Sequence, residues 1–249
     1  MYFSVGSDEL RIAGTMHLVP ADFSNFPKWV DEAYDWSEEI ITEHKLEEIF
    51  SYMSLQDGDH LRNHIPEKLW EDLVKHYVNT DRIEKISSLK PWAAMFFLSP
   101  IGKTSGGVEQ YWNWRASKHP RLITYLESFK DVASNLDIVS NDVYAKEIHF
   151  MINNEKYIRD KFFELHAAWI CGDLDGIKRS IAESNIWRSQ ALREAFITKR
   201  NHAWMPRIQS LISSGKRVLV GVGALHLCGD EGLIDLIKSD GKSVKLIIK

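Results

Sequence analysis

Two short segments of the form G-x-x-H lie near opposite ends of this chain, and they constrain how it can fold. Residues 14–17 end on His17 and follow a β-prone run, and residues 223–226 end on His226 and follow another. Side chains at the carboxyl ends of strands meet at the sheet edge where open α/β sheets bind ligands. The pattern therefore predicts one sheet that takes strands from both ends of the chain.

The remaining strands are predicted from β-prone runs and turn residues. Residues 2–5 and 10–16 form a hairpin, residues 40–42 a strand that ends at Glu43, and residues 122–126 a strand that closes on Glu127. A terminal β-α-β unit follows, with a strand at 217–222, a helix at 230–238 and a strand at 244–248. After His17 we expect a polar loop.

Helical periodicity dominates the rest of the chain. A helix is predicted to begin near Pro27, and two long segments, about 47–118 and 130–213, are mainly helical. The predicted fold class is α/β: a mixed central sheet built from both chain ends, with a large helical middle segment packed on it. We expect a single domain over residues 1–249, whose sheet comes from about 1–46, 120–127 and 216–249.

Composition excludes several classes of function. The net charge is −4 and no block of lysine and arginine is long enough to follow a phosphate backbone, so nucleic acid is not an expected partner. No apolar run reaches the length of a membrane-spanning helix, and the first residues lack the features of a signal peptide. The two cysteines, Cys171 and Cys228, provide no disulfide framework, which favours a cytoplasmic location. The oligomeric state stays open.

His17, Glu43 and His226 share one structural position, because each follows a short β-prone run. Neutral imidazoles and a carboxylate are ligands of divalent transition metals. Gly14 and Gly223 have a physical use here, since they remove a side chain where the strand must turn and approach a ligand. The pattern alone also fits histidines with a purely structural role. The chain contains no H-E-x-x-H motif, so a standard zincin is excluded.

A series of motifs in order along the chain resembles the TraB/GumN family, which includes the Tiki metalloproteases. The matching segments are residues 14–17 with 40–43, K-P-W at 90–92, G-V-E at 107–109, L-E at 126–127, A-W-x-x-G-D-L at 168–174, R-N-x-x-W at 200–204 and V-G-A-x-H-L at 222–227. The resemblance implies a fold like that of the Tiki, erythromycin-esterase and ChaN proteins. It covers nearly the whole chain.

The resemblance also implies a metal-dependent hydrolase, most naturally a peptidase. His17, Glu43 and His226 would hold one divalent cation, Mn²⁺ or Co²⁺ in preference to Zn²⁺, and Glu43 could instead be the general base. Arg200 and Asn201 are a further family signature. Arg200 could stabilise an oxyanion or hold Glu43 in place, or it could form a structural ion pair.

Some features leave other functions open. Lys45 stands where the family often has an acidic residue, and Glu109 replaces its aspartate, so the metal and substrate could differ from those of relatives. Glu127 could support the site or form a structural ion pair. Related folds serve as non-peptidase hydrolases of the esterase type and as haem-binding proteins. A protein that sequesters a peptide signal without turnover is the remaining alternative.

Overall fold

A six-stranded mixed sheet is the centre of the fold, as the computed structural model of the chain describes it over residues 1–6, 8–23, 25–45, 49–229 and 231–247. Both chain ends contribute to it, which confirms the predicted fold class. The strand order is β6-β4-β7-β2-β1-β8. The strands are β1 (Tyr2–Val5), β2 (Leu10–Thr15), β4 (Glu39–Thr42), β6 (Leu122–Tyr125), β7 (Val218–Gly223) and β8 (Val244–Leu246).

Four adjacent strands, β6, β4, β7 and β2, are parallel. Thr15 of β2 pairs with Gly223 of β7, and Thr42 of β4 pairs with Gly221 of β7. β7 is buried along its whole length and has the uninterrupted apolar sequence VLVGVG expected of a central parallel strand. Since parallel strands end at one edge, the residues that follow β2, β4, β6 and β7 are brought together there. The flanking strands β1 and β8 are antiparallel to their neighbours.

A separate two-stranded sheet lies next to His17, where the sequence had predicted a polar loop after His17 and a mainly helical segment over 47–118. β3 (Leu18–Pro20) pairs in antiparallel fashion with β5 (Thr104–Gly106). The pairing continues into the turn that follows, because the backbone N–H of Gly107 donates to the carbonyl of His17 (2.8 Å). Both strands are three residues long, too short for an alternating pattern to be recognised in the sequence.

Helices fill most of the remaining chain. They are α1 (Lys28–Trp36), α2 (Phe50–Met53), α3 (Glu67–His76), α4 (Arg82–Ile86), α5 (Pro91–Phe97), α6 (Val108–Ala116), α7 (Phe129–Asp137), α8 (Asn141–Asn153), α9 (Glu155–Cys171), α10 (Leu174–Ala182), α11 (Asn185–Arg188), α12 (Gln190–Arg193), α13 (Lys199–Ile212) and α14 (Leu233–Ser239). A π-helical segment, Glu194–Thr198, joins α12 to α13. Within the described residues, no helix combines the length and the apolar character needed to cross a bilayer.

Some predicted ends differ from the structure. The final helix begins at Leu233 rather than near residue 230, because Gly232 takes the N-cap position. Asp230 and Ile248, which the sequence had placed in that helix and in the last strand, lie outside the described residues. The helix predicted near Pro27 begins at Lys28 with Pro27 as its N-cap.

The apolar side chains form two buried clusters. One packs on the sheet and includes Trp112, Trp169 and Trp204, and the other lies within the helical middle segment. Partly buried Trp187 and Leu225 pack against both. Leu225 belongs to the second G-x-x-H segment, so the two clusters meet beside the predicted site. The single-domain prediction is not tested by this observation and stays a prediction.

Candidate metal centre

Four predicted site residues leave the same edge of the sheet. His17 follows β2, Glu43 follows β4, Glu127 follows β6, and His226 lies in a 3-10 turn, Ala224–Leu227, directly after β7. The backbone holds this arrangement beyond the strands, since the N–H of Glu127 donates to the carbonyl of Glu43 (3.0 Å). The topology of the sheet therefore brings together residues that are far apart in the sequence.

Glu43 is at the centre of the cluster. Its side chain is only 3% exposed. Its Oε1 accepts the backbone N–H of Gly223 (2.6 Å) and lies 3.3 Å from Nε2 of His17. Its Oε2 accepts a hydrogen bond from Arg200 and lies 3.8 Å from Nε2 of His226. Each oxygen of the carboxylate therefore accepts a hydrogen bond and also lies near an imidazole nitrogen.

The two histidines are held in the same way. Nδ1 of His226 lies 2.7 Å from Oδ1 of Asn201, and Nδ1 of His17 lies 3.2 Å from Oε1 of Glu109. In both residues Nε2 faces Glu43. Metal-binding histidines commonly have this arrangement, with one ring nitrogen fixed by an acceptor and the other directed at the metal.

Asn201 determines the tautomer of His226. Its Nδ2 donates to the carbonyls of His226 (3.1 Å) and Glu231 (2.7 Å), so its Oδ1 must accept from Nδ1 of His226. Nε2 of His226 then carries a lone pair, which accepts an N–H of Arg200 at 3.1 Å. Burial, aided by Arg200, lowers the pKa of His226 to about 3 against the opposing effect of Glu43. The imidazole is therefore neutral at physiological pH, as a metal ligand must be.

His17 has the opposite electrostatic environment. Desolvation opposes a charge on its ring, but the carboxylates of Glu109 and Glu43 outweigh it and hold the pKa of His17 well above its usual value. Its two nitrogens face carboxylate oxygens, which suits an imidazolium. The side chain is 49% exposed, so solvent reaches it. A metal on Nε2 would replace this proton.

Arg200 connects the two sides of the cluster. Its guanidinium donates to Glu43 and to Oε1 of Glu127, with Nε at 2.7 Å from the latter, and its side chain is 6% exposed. Nη1 also donates to the carbonyl of Phe196 (3.1 Å), inside the π-helical segment that precedes α13. Single π-helical turns are frequent at functional sites, and this one sets the position from which Arg200 reaches the cluster. The sequence left three roles open for Arg200, and these contacts are compatible with two of them, holding Glu43 in place and forming a structural ion pair.

The two motif glycines are needed for different reasons. A Cβ at Gly223 would lie 2.8 Å from Nε2 of His17 and 3.3 Å from Oε1 of Glu43, so this glycine leaves room for the site itself. A Cβ at Gly14 would instead meet Leu227 and Met1, so Gly14 permits close packing beneath the site.

Two nearby residues were not assigned to the site from the sequence. Glu109 is buried and accepts hydrogen bonds from the hydroxyl of Thr15 and from the His17 ring. In the sequence, Glu109 was noted only because it replaces the aspartate of the family motif. His44 was not singled out at all. Among the described residues, the group of metal-type ligand atoms that come within 4.8 Å of one another belongs to Glu43, His44 and Glu127, and not to the predicted set with His17 and His226.

Comparison with models of known protein families assigns the chain to one of them. The model of the TraB/PrgY/gumN family matches residues 4–246. The chain belongs to this family. Searches of curated proteins and of solved structures returned no match. Family membership confirms the resemblance seen in the motifs, and it leaves the activity, the metal and the site residues of this TraB/PrgY/gumN protein as predictions.

The donor types present are those of a divalent-cation site. Nε2 of His17 faces Oε1 of Glu43, Nε2 of His226 faces Oε2, and the second nitrogen of each ring is anchored. In the part of the chain that the structure describes, the two histidines do not join Glu43 in a group whose ligand atoms all lie within 4.8 Å of one another. Arg200 works against metal binding, because it donates hydrogen bonds to Nε2 of His226 and to Oε2 of Glu43. Arg200 would therefore have to give up its contact with His226 for that histidine to bind a metal.

Proposed function

We propose that this protein is a metal-dependent hydrolase that acts on a peptide or protein segment. The observation that supports this best is the matched anchoring of His17 and His226, which directs Nε2 of each ring at Glu43. The peptide as substrate class follows from the family resemblance alone. When bound, a divalent cation, by the same resemblance Mn²⁺ or Co²⁺ in preference to Zn²⁺, would polarise a carbonyl and make hydroxide available near neutral pH.

The electrostatics of the carboxylates favour a ligand role for Glu43 over a general-base role. Burial works against its charge, but Arg200 and the protonated ring of His17 lower the pKa of Glu43 well below its usual value, which makes it a weak proton acceptor. We therefore assign cation binding to Glu43.

The remaining residues position these groups. Asn201 holds His226 in the tautomer that keeps the ring lone pair on Nε2, and Glu109 holds His17. Arg200 keeps Glu43 ionised and fixes its orientation. The half-exposed His17 lies on the solvent side, where a substrate would arrive.

The test is cleavage of a peptide library, read by mass spectrometry, with and without EDTA and after return of Mn²⁺, Co²⁺ or Zn²⁺. The wild-type chain should cleave only with metal, and His17→Ala and His226→Ala should each abolish cleavage while remaining folded. His149→Ala, a change on the exposed face of α8, is the matched control. Full activity in either site variant would refute the proposal. Bound metal without any cleavage would favour sequestration of a peptide signal, and a Soret band on haem titration would favour haem binding.

A further inference from the structure

Glu43, His44 and Glu127 form a group of potential ligands beside the predicted metal site. One carboxylate oxygen from each glutamate and one ring nitrogen of His44 all lie within 4.8 Å of one another. The three residues come from the adjacent ends of β4 and β6, whose backbones stay hydrogen-bonded as far as Glu127. The positions of the ligand atoms therefore depend on the hydrogen-bonded ends of these two parallel strands.

His44 has a nitrogen without a partner. Its Nδ1 is buried and has no hydrogen bond within the described residues. A buried nitrogen left in this state costs free energy, and such groups commonly mark a site that a ligand or ion completes. The ring is held edge-on against Phe129 at the start of α7, with 4.9 Å between ring centroids.

The charges leave room for a cation. Glu43, Glu109 and Glu127 offer three carboxylates to the cluster, and two cationic side chains, Arg200 and the imidazolium of His17, pair with them. Arg200 contacts Oε2 of Glu43 and Oε1 of Glu127, whereas Oε1 of Glu43 accepts from the backbone of Gly223 and faces His17. One carboxylate in excess of the two cations favours a bound cation.

We propose that Glu43, His44 and Glu127 bind a divalent cation at a second position, next to the His17 and His226 side of the cluster and sharing Glu43 with it. One nitrogen and two carboxylate ligands suit Mn²⁺, Co²⁺ or Zn²⁺. This inference deepens the proposed function and depends on it only through the shared Glu43. It makes His44 a metal ligand that the family motifs do not mark.

The experiment titrates the full chain with Mn²⁺ alone and follows free Mn²⁺ by electron paramagnetic resonance. Two variants remove the nitrogen: His44→Phe keeps the ring contact with Phe129, and His44→Gln keeps polarity. We expect each to lose one bound Mn²⁺ or to bind it at least about tenfold more weakly. His149→Gln is the control and should match wild type. Thermal unfolding in EDTA identifies a variant that fails to fold, in which case the other decides.

The outcomes separate the two proposals. If both His44 variants bind as many Mn²⁺ ions as wild type, with dissociation constants within about twofold, the second position is refuted. Absence of Mn²⁺ binding in wild type would refute it as well. His17→Ala and His226→Ala, titrated in parallel, report on the first position. Weakened binding in the His44 variants alone would support the second position and count against the ligand set of the proposed function.

Discussion

Replacing Arg200 by glutamine should strongly destabilise the metal-free protein. Arg200 is 6% exposed and donates to Glu43 and Glu127, whose side chains are 3% and 9% exposed. Without the guanidinium, both carboxylates remain buried without their main compensating charge. Breaking a buried ion pair by removing one partner costs about 3–5 kcal/mol. An exposed pair such as Arg217 with Glu38, where both side chains are 53% exposed, contributes only about 0–1 kcal/mol.

The assay is urea unfolding in EDTA at pH 7.5, followed by circular dichroism. Arg200→Gln should lower the free energy of unfolding by about 3 kcal/mol or more, and the matched control Arg217→Gln by about 1 kcal/mol or less. Arg200→Lys should fall between them, because an ammonium keeps the charge but cannot reproduce the fork of donors.

The loss should also depend on pH, with a defined sign. In wild type the depressed pKa of Glu43 gives stability that is complete above the ordinary carboxyl pKa of 4.5 and is lost as pH falls through the lower folded value. In Arg200→Gln the unpaired carboxylates have raised pKa values, so protonation relieves their cost as pH falls. The difference between the two proteins should shrink between pH 7.5 and pH 5. A loss below about 1 kcal/mol at pH 7.5, equal to that of the exposed pair, would refute the argument that Arg200 balances buried charge.

Three further predictions each concern the replacement of one residue. Gly223→Ala should weaken Mn²⁺ binding and abolish cleavage with little change in stability, because its φ of −51° accepts alanine while the new Cβ displaces His17. Asn201→Ala should weaken Mn²⁺ binding about 10- to 100-fold, as measured by titration, because His226 loses the acceptor that fixes its tautomer. His166→Phe should gain stability relative to wild type as pH falls from 7.5 to 5, measured by urea unfolding. Burial lowers the pKa of His166, so wild-type stability is complete above pH 6.5 and declines below it.

Each of these predictions has a control or an outcome that would contradict it. Gly14→Ala is the control for Gly223→Ala, since its Cβ meets the core rather than the site; it should reduce stability by about 1–3 kcal/mol. Equal effects of the two alanines on Mn²⁺ binding would contradict the different roles assigned to the glycines. Normal Mn²⁺ affinity in Asn201→Ala would show that Asn201 does not position His226 for metal binding. A constant stability difference at both pH values would show that the buried ring of His166 does not titrate as argued.

The parallel strands could be predicted because each is a short β-prone run that ends at a conspicuous residue. The predicted runs at 10–16, 40–42, 122–126 and 217–222 correspond to β2, β4, β6 and β7. Neighbouring parallel strands end at one edge, so the proximity of His17, Glu43 and His226 followed from topology. The small β3–β5 sheet escaped prediction, because its stability comes from pairing between distant segments rather than from a local pattern.

The support around the histidines was harder to predict. Asn201 was recognised only as part of a family motif, and its contact with His226 depends on how α13 lies against the 3-10 turn that follows β7. Glu109 reaches His17 because residues 16 and 17 accept the backbone hydrogen bonds that begin α6. His44 has no motif, and its buried Nδ1 becomes evident only when the side chains of Glu127 and Phe129 are placed around it.

The central claim is that His17 and His226 act on one bound cation to hydrolyse a peptide. The most direct measurement is peptide-library cleavage by the wild-type chain after EDTA treatment, before and after return of Mn²⁺, alongside His17→Ala and His226→Ala. We predict cleavage that disappears with EDTA, returns with Mn²⁺ and is absent from both variants. Cleavage that persists in EDTA, or in either folded variant with Mn²⁺ present, would contradict the account.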